Sequence, residues 1–489
     1  MLKIRDIVEI ILLAIREMHK ILSNYQDFAE LEKNLYQLTQ KTMLLLTEAA
    51  LRHIDERLMQ SRDTKRLKLI HTKERTIITP FGEIELKRRY YKDQNTGQGR
   101  YLLDEALGIK PRQRISPWLT EIAVSMATEM PYHRAAALLK QLTLGAADIR
   151  SMSIWEEAQR AGKKLAERTE QERLAIFEKG EIPSAQRKSP SLCIEADEIL
   201  ISARTEKTHE KPKKKIPIKI SVGYEGKASK GLHRKSLIER RVLAGIAEAQ
   251  TFWEQTAAQF GRHWDLSAIE NCCIGGDGAQ WIKLGCEYFP RSTYRLDPYH
   301  LRRAILEGLG YNEKAYKAVC AALADNDWDR TEQALTAAKK TSVGARRKRI
   351  AELHRYLQAN WEGICRSGAT ESLGAIEGQI FHHIARRMKR HGARWSRPGA
   401  DHLARLLAAR ANGELLEAAK SVWQAQPEII RGAVSGGPIC DKDRAIRAIK
   451  EDPGAWLQKS MPALYGSSAR DPWVKYVLRV LTQTLPSVV

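Results

Sequence analysis

Asp197, Asp277 and Glu377 are the residues whose surroundings in this sequence point most directly to chemistry. Asp197 lies inside the apolar run Leu192-Cys193-Ile194-Glu195-Ala196-Asp197-Glu198-Ile199-Leu200, and Asp277 closes a second run, Cys272-Cys273-Ile274-Gly275-Gly276-Asp277-Gly278. Glu377 opens a helix whose other face is rich in arginine and lysine. Carboxylates cost free energy when they leave water, so acids at the ends of buried strands find a cation. The chain as a whole has a formal net charge of +22, which calls for an anionic partner. Acids that hold a cation within a basic protein point to a divalent metal acting on a polyanion. Cutting or transferring a phosphodiester needs an activated water or 3′-hydroxyl and a stabilised leaving oxygen; two Mg²⁺ ions roughly 3.5–4 Å apart do both. Such hard cations prefer carboxylate oxygens to thiols or imidazoles. Mg²⁺ is therefore the expected cofactor, with Mn²⁺ as its substitute.

Helix and strand phase sort the acids. In Ile376-Glu377-Gly378-Gln379-Ile380-Phe381-His382-His383-Ile384-Ala385-Arg386-Arg387-Met388 the expected apolar stripe is Phe381, Ile384, Ala385 and Met388. Glu377, four before Phe381 and seven before Ile384, then shares the face turned to the sheet, whereas Glu371 points elsewhere. Arg386, Arg387, Lys389 and Arg390 occupy or flank the outer face, where they can grip phosphates. Strand alternation sends Glu198 to the face opposite Asp197. Glu195 shares the face of Asp197, roughly 7 Å back along the strand, and phase leaves it open. Gly275, Gly276 and Gly278 are expected to leave room for metal and phosphate around Asp277. Any one of these acids alone reads as a cap or a surface residue; three in this arrangement favour a site.

The elements that must position them give an α+β multidomain chain. Residues 1–75 have helical spacing. Residues 76–112 form a hairpin segment around Pro80-Phe81-Gly82 that continues into the basic aromatic stretch Lys87-Arg88-Arg89-Tyr90-Tyr91-Lys92. That stretch suits either DNA backbone or a charge-protected edge strand. Residues 113–180 read as three helices, over 117–128, 132–141 and from Ser153, where Ser153 and Glu156 have capping-box spacing. Their apolar stripe is Ile154, Ala158, Ala161 and Leu165, and Arg160, Lys163 and Lys164 favour a helix-turn-helix that binds DNA over a plain packing unit. Strands are expected over 192–202, 216–224, 241–246, 269–275 and 294–297, with a helix over 249–260. Three strands, a helix and a further parallel strand match the opening of a ribonuclease H-like α/β core over 190–300 and 370–395. Residues 301–369 are then a helical insertion, and 396–489 a helical C-terminal region.

The seven cysteines lack paired zinc-site spacing, which fits a reducing cytoplasm. No run approaches the roughly 20 apolar residues that cross a bilayer, so no membrane partner is expected. Basic clusters at Lys211-Pro212-Lys213-Lys214-Lys215 and Arg346-Arg347-Lys348-Arg349 add to the case for nucleic acid.

Ile194-Glu195-Ala196-Asp197-Glu198, Gly276-Asp277-Gly278-Ala279-Gln280-Trp281-Ile282 and Asp297-Pro298-Tyr299-His300 resemble the motifs of bacterial insertion-sequence transposases of the ISLre type. Glu377-Gly378 with His383, Arg387-Met388 and Trp395-Ser396 followed by Gly399-Ala400 extend the resemblance, which runs from about Thr79 to about Leu407. It implies a DDE transposase with a ribonuclease H-like core related to the Mutator-type enzymes. Asp197 and Asp277 would be its catalytic aspartates and Glu377 its glutamate. Asp297 and His300 match the Asp-x-x-His element after the second aspartate, so His300 would orient the scissile phosphate or support Asp277. Trp395 is either a base-stacking residue or core. The expected partners are double-stranded DNA, as element ends and target, and a second copy in a homodimer or higher assembly. The expected location is the bacterial cytoplasm, on the nucleoid when bound. The rivals are a nuclease on the same core without strand transfer, and a domesticated, non-catalytic DNA-binding protein.

Overall fold

The structure, a computed structural model, describes residues 4–204, 215–231, 235–365, 373–390 and 392–422. It divides into two units. The expectations for Glu371, for the lysine cluster up to Lys214 and for the chain after Val422 lie outside the described residues.

The first unit contains, of the described residues, 4–77 and 81–114. Helices α1 (Ile4–Asn24) and α2 (Phe28–Ser61) lead into a hairpin of β1 (Leu67–Thr79) and β2 (Gly82–Asp93), with the short β3 (Gly99–Arg100) beside β2, and α3 (Leu102–Leu107) closes it. The hairpin starts nine residues earlier than its sequence pattern suggests (67 against 76), because after Leu67 the first part of β1 is exposed and its stretch His71–Glu74 is polar, which breaks any alternation. Its core is Leu58, Leu67, Ile77, Ile84, Leu86, Tyr91 and Leu103. The basic aromatic stretch of β2 is spent largely inside this unit. Tyr91 is fully buried, Arg88 pairs with Asp104 and Arg89 with Asp55. Lys87 and Lys92 alone among its charges face solvent fully.

The second unit holds, of the described residues, 78–80 and those from 115 to 422. Helix α4 (Pro117–Glu129) starts where Ser116 accepts from the Leu119 N–H at 3.3 Å with Pro117 in the first turn, a strong start signal. Next come α5 (Tyr132–Leu142) and α6 (Ser151–Phe177). Helix α6 begins at Arg150 without a side-chain cap, so Ser153 lies inside it and forms no capping box. Its stripe Ile154, Ala158, Ala161 and Leu165 is buried as expected.

The central sheet is built from β4 (Ser191–Ser202), β5 (Lys215–Tyr224), β8 (Arg241–Gly245), β9 (Asn271–Gly276) and β10 (Ser292–Leu296), in the order β10-β9-β4-β5-β8. The pairs β4–β5 and β5–β8 are antiparallel, while β4–β9 and β9–β10 are parallel. A separate two-stranded hairpin, β6 (Gly226–Ser229) with β7 (Lys235–Ile238), interrupts the run between β5 and β8; four-residue strands with no apolar alternation left no trace in the sequence pattern. Helix α7 (Ala249–His263) crosses from β8 to β9, and the short α8 (Gln280–Lys283) follows β9.

Beyond β10, helices α9 (Pro298–Leu309), α10 (Glu313–Ala324), α11 (Trp328–Lys340), α12 (Gly344–Ala359) and α13 (Trp361–Cys365) pack around their own cluster of Ile305, Leu309, Val319, Leu335, Ile350 and Leu357. The chain returns through α14 (Ile376–Ile380), a π-helical turn over Phe381–Ala385 and α15 (Arg386–Met388), then α16 (Arg397–Ala411) and α17 (Leu415–Lys420).

Alternation along β4 decides which layer each residue meets. Leu192, Ile194 and Ala196 pack with Trp253, Phe260 and Trp264 of the α7 layer. Cys193, Ile199 and Ile201 pack with Ile376, Ile380, Ile384, Met388 and Leu403 on the opposite face. Glu195 and Asp197, odd-numbered, therefore face the α14–α16 layer, and Glu198 faces away, as strand phase requires. Trp395 belongs to that core: it is 7% exposed and its Nε1 donates to the Met388 carbonyl at 3.0 Å. Among the described residues no helix is long and apolar enough to cross a membrane, and Cys193, Cys272, Cys273, Cys286 and Cys320 form no disulfide.

Candidate active site

Parallel register brings the acids together. Glu195 pairs with Gly275, and Leu296 with Gly276. Continuing each ladder one or two residues sets Asp197, Asp277 and Asp297 in a row across the ends of β4, β9 and β10. The backbone supports this: the Asp297 N–H donates to the Gly276 carbonyl at 2.8 Å. The charges feel one another. Burial, with the neighbouring Asp277 and Asp297 charges, pushes the Asp197 carboxyl up to about 6, although the Glu198 N–H donates to it at 2.6 Å and His300 is near. The combination of burial with like charge is a pattern found at functional sites.

Asp297 is almost fully buried and does two jobs. Its Oδ1 caps α9 by accepting from the Tyr299 N–H at 3.2 Å, and its Oδ2 lies 2.8 Å from His300 Nδ1. That bond, followed by the nearby acids Asp297, Asp197 and Asp277, outweighs burial and raises the His300 pKa. The loop at Asp277 is braced from α12: the Tyr356 hydroxyl donates to the Asp277 carbonyl at 2.7 Å, and the Asp277 carboxylate accepts from the Ala279 N–H at 2.9 Å.

Glu195, which phase left open, is resolved by its partners. It is 1% exposed; Oε1 accepts from the Tyr224 hydroxyl at 2.5 Å, and the carboxylate accepts from the N–H groups of Gly374, Ala375 and Ile376 at 2.9–3.2 Å. These are orphan donors at the start of α14. The carboxylate is consumed in clamping the helix that carries Glu377 onto the strand that carries Asp197.

Three expectations need correction. The buried stripe of α14–α15 is Ile376, Ile380, Ile384 and Met388, while Phe381 is 46% exposed. Glu377 therefore stands on the exposed side with Phe381 and does not face the sheet; the π-helical turn widens the helix so that a four-residue spacing stays in phase. Arg387 is buried, with Nε donating to the Ala127 carbonyl at 2.8 Å and the guanidinium against the rings of Tyr132 and Trp395, so it is a core tie and not on the outer face. Arg386, Lys389 and Arg390 are exposed as expected. Third, the glycines around Asp277 are occupied by protein. A Cβ at Gly275 would meet Leu373, one at Gly276 would meet Ile282, and one at Gly278, whose φ is +100°, would meet Asn360.

Arg160, Lys163 and Lys164 lie on α6, where Arg160 pairs with Glu157 at 2.7 Å and Lys164 with Glu167 at 2.8 Å. That helix packs against α4, α5, α7, α16 and α17, so it acts as a spine of the unit.

Among the described residues no three His, Cys, Asp or Glu side chains are grouped closely enough to hold a metal by themselves. Mg²⁺ keeps several waters and is commonly bound through one or two carboxylates plus substrate phosphates. Asp197 and Asp277, two acids whose mutual repulsion is relieved by a cation, fit that donor set.

The chain belongs to UPF0236, described as an uncharacterised protein family, which matches residues 21–426. A UPF0236 protein of Caldanaerobacter subterraneus subsp. tengcongensis, whose name joins eleven locus designations, is 27% identical over 404 residues, covering 80% of each chain. Another from that organism, named for four loci, is 27% identical over 405 residues, again covering 80% of each. A protein of Streptococcus gallolyticus, named as the UPF0236 protein in the vanSb 3′ region, is 27% identical over 415 residues, covering 82% of this chain and 86% of its own.

Proposed function

We propose that this member of UPF0236 is a DNA transposase of the DDE type: a ribonuclease H-like enzyme that cuts DNA at element ends and joins the freed 3′-hydroxyl to target DNA. The observation that carries the reading is the row Asp197, Asp277, Asp297 with His300, in which burial and like charge hold Asp197 near 6. The sheet supports it, since three antiparallel strands followed by two parallel ones, in the order β10-β9-β4-β5-β8, is the arrangement such a core requires. The relatives support it from another side. A name that joins eleven loci of one organism describes a sequence present many times over, which is what a mobile element leaves behind.

In this reading Asp197 and Asp277 would hold the divalent cation through carboxylate oxygens, and Glu377, on the exposed side of α14, would join them only on a turn of that helix toward the pair. The bound metal supplies neutralisation of the phosphate charge and an acidified water or hydroxyl. Asp297 fixes the His300 ring through Nδ1 and raises its pKa, and the imidazolium so favoured would have its Nε2–H to donate to a phosphate oxygen. Hydrolysis adds water across one P–O bond and leaves a 3′-hydroxyl. Transfer then exchanges a P–O bond of the target for one to that hydroxyl, and the displaced target oxygen takes a proton.

The test is incubation of the full-length protein with end-bearing DNA and Mg²⁺, then with a pre-cleaved end and a target. Cutting and joining, both lost in Asp277→Ala, are expected. Cutting with no joining would make the protein a nuclease. DNA binding with no cutting under Mg²⁺ or Mn²⁺ would make it a non-catalytic binder.

A further inference from the structure

A cleft of about 950 Å³ lies between the β6–β7 hairpin and the start of α14. Its cations are Lys227, Lys235 and Arg240, with the hydroxyls of Ser229 and Ser236 beside them; of the described residues that line it, none is acidic. Arg240 is held by neutral groups. It donates to Gln379 Oε1 at 3.1 Å, to His383 Nε2 at 3.0 Å and to the Ala411 carbonyl at 2.6 Å. The guanidinium is thereby fixed in place with its positive charge uncompensated, which suits recognition of an anion.

Two further features connect the cleft to the acid row. Gly374 lines the cleft, and a Cβ built on it would lie 3.7 Å from Asp297 Oδ1. Gly378 also lines it, one residue after Glu377, and a Cβ there would meet nothing within 4 Å. Its backbone is helical and not left-handed, so neither sterics nor φ requires glycine, and alanine would suit the helix better. A bare helix surface at this point is useful to something outside the chain that approaches closely.

We propose that this cleft is the track for the sugar-phosphate backbone of the DNA strand being processed, with phosphates on Lys227, Lys235 and Arg240 and close passage over Gly378 toward Asp297. The inference rests on the transposase reading for the identity of the polyanion. It assigns the grip on the strand to the β6–β7 hairpin and places that grip ahead of α6 and its carboxylate-paired cations.

The test measures binding of a short end-bearing DNA duplex against salt concentration for the full-length protein. The double variant Lys227→Ala, Lys235→Ala is expected to weaken binding about tenfold or more and to lower the log–log salt slope by about 2, one per phosphate contact. The variant Lys339→Ala, Lys340→Ala removes the same charge from α11 and is expected to leave the slope within about 0.5 of the wild type. Gly378→Leu is expected to fold with an unchanged melting temperature and to cut DNA at least tenfold more slowly. Wild-type slope in the double variant, together with wild-type cutting in Gly378→Leu, overturns the track while the transposase reading stands. A wild-type protein that neither binds nor cuts DNA overturns both.

Discussion

The two sides of α14 carry opposite imbalances of charge. On the sheet side Asp197, Asp277 and Asp297 crowd together, with His300 the cation whose proximity lowers the Asp197 pKa. On the hairpin side Lys227, Lys235 and Arg240 line a cleft to which no described acid contributes. The titrating groups mirror each other. Burial and neighbouring acids push Asp197 up to about 6, whereas burial and the cations Arg240 and Arg410 push His383 down to about 4. Folded proteins usually pair such charges. The two stretches of opposite sign approach each other at Gly374, and in the reading proposed above a metal-bound phosphodiester would bridge them.

The sharpest way to break this comparison is to separate chemistry from grip. Asp277→Asn is expected to reduce Mg²⁺-dependent cutting by about a thousandfold, or about 4 kcal/mol of barrier, with DNA binding unchanged in a mobility-shift assay. Equal losses of binding and cutting would show that the two sides are one site. Glu195→Ala is next. It strands the Gly374, Ala375 and Ile376 N–H groups and the Tyr224 hydroxyl, and is expected to cost about 3 kcal/mol in urea unfolding. Cutting should fall with it, because the clamp that holds α14 to β4 is lost; cutting at the wild-type rate in the folded variant would show that α14 adds nothing to the site.

The pH dependence sharpens the mirror relation. Asp197 has a raised folded-state pKa, so its contribution is present below about 4 and is lost as pH rises through about 6; the shift of about 2 units corresponds to about 3 kcal/mol at most. Asp197→Asn is therefore expected to raise metal-free stability at pH 8, and Mg²⁺ should raise that of the wild type but not of the variant. His383 has a lowered pKa, so its contribution is present above about 6.5 and is lost as pH falls toward about 4. His383→Asn should flatten the acid limb of the unfolding curve by about 2 kcal/mol. The smallest effect is expected on α6, where Lys164→Ala breaks an exposed pair with Glu167 and should leave the thermal unfolding midpoint unchanged.

Much of the scaffold was legible. The bounds of α4, α5, β4, β5 and β8 fall within a residue or two of the spacing-based reading, because each is a run of apolar residues with one clear period between strong stop signals. The exposed first part of β1 and the four-residue strands β6 and β7 lack that period. In the site, Asp197 and Asp277 were legible because an acid inside an apolar run is costly and needs a reason. The phase of α14 differs from its apolar pattern, since Phe381 is exposed and a π-helical turn shifts the stripe to Ile376, Ile380, Ile384 and Met388.

By itself the sequence determined the strands of the central sheet, which face of β4 each acid takes and that the chain is strongly basic. Those properties follow from local period and net charge, which are one-dimensional. Tertiary structure alone decided that Glu195 clamps a helix 180 residues away, that Arg387 is interior and that the roomy glycine is Gly378, whereas Gly275 is filled. A side chain's role depends on which distant atoms reach it first, and no spacing along the chain encodes that.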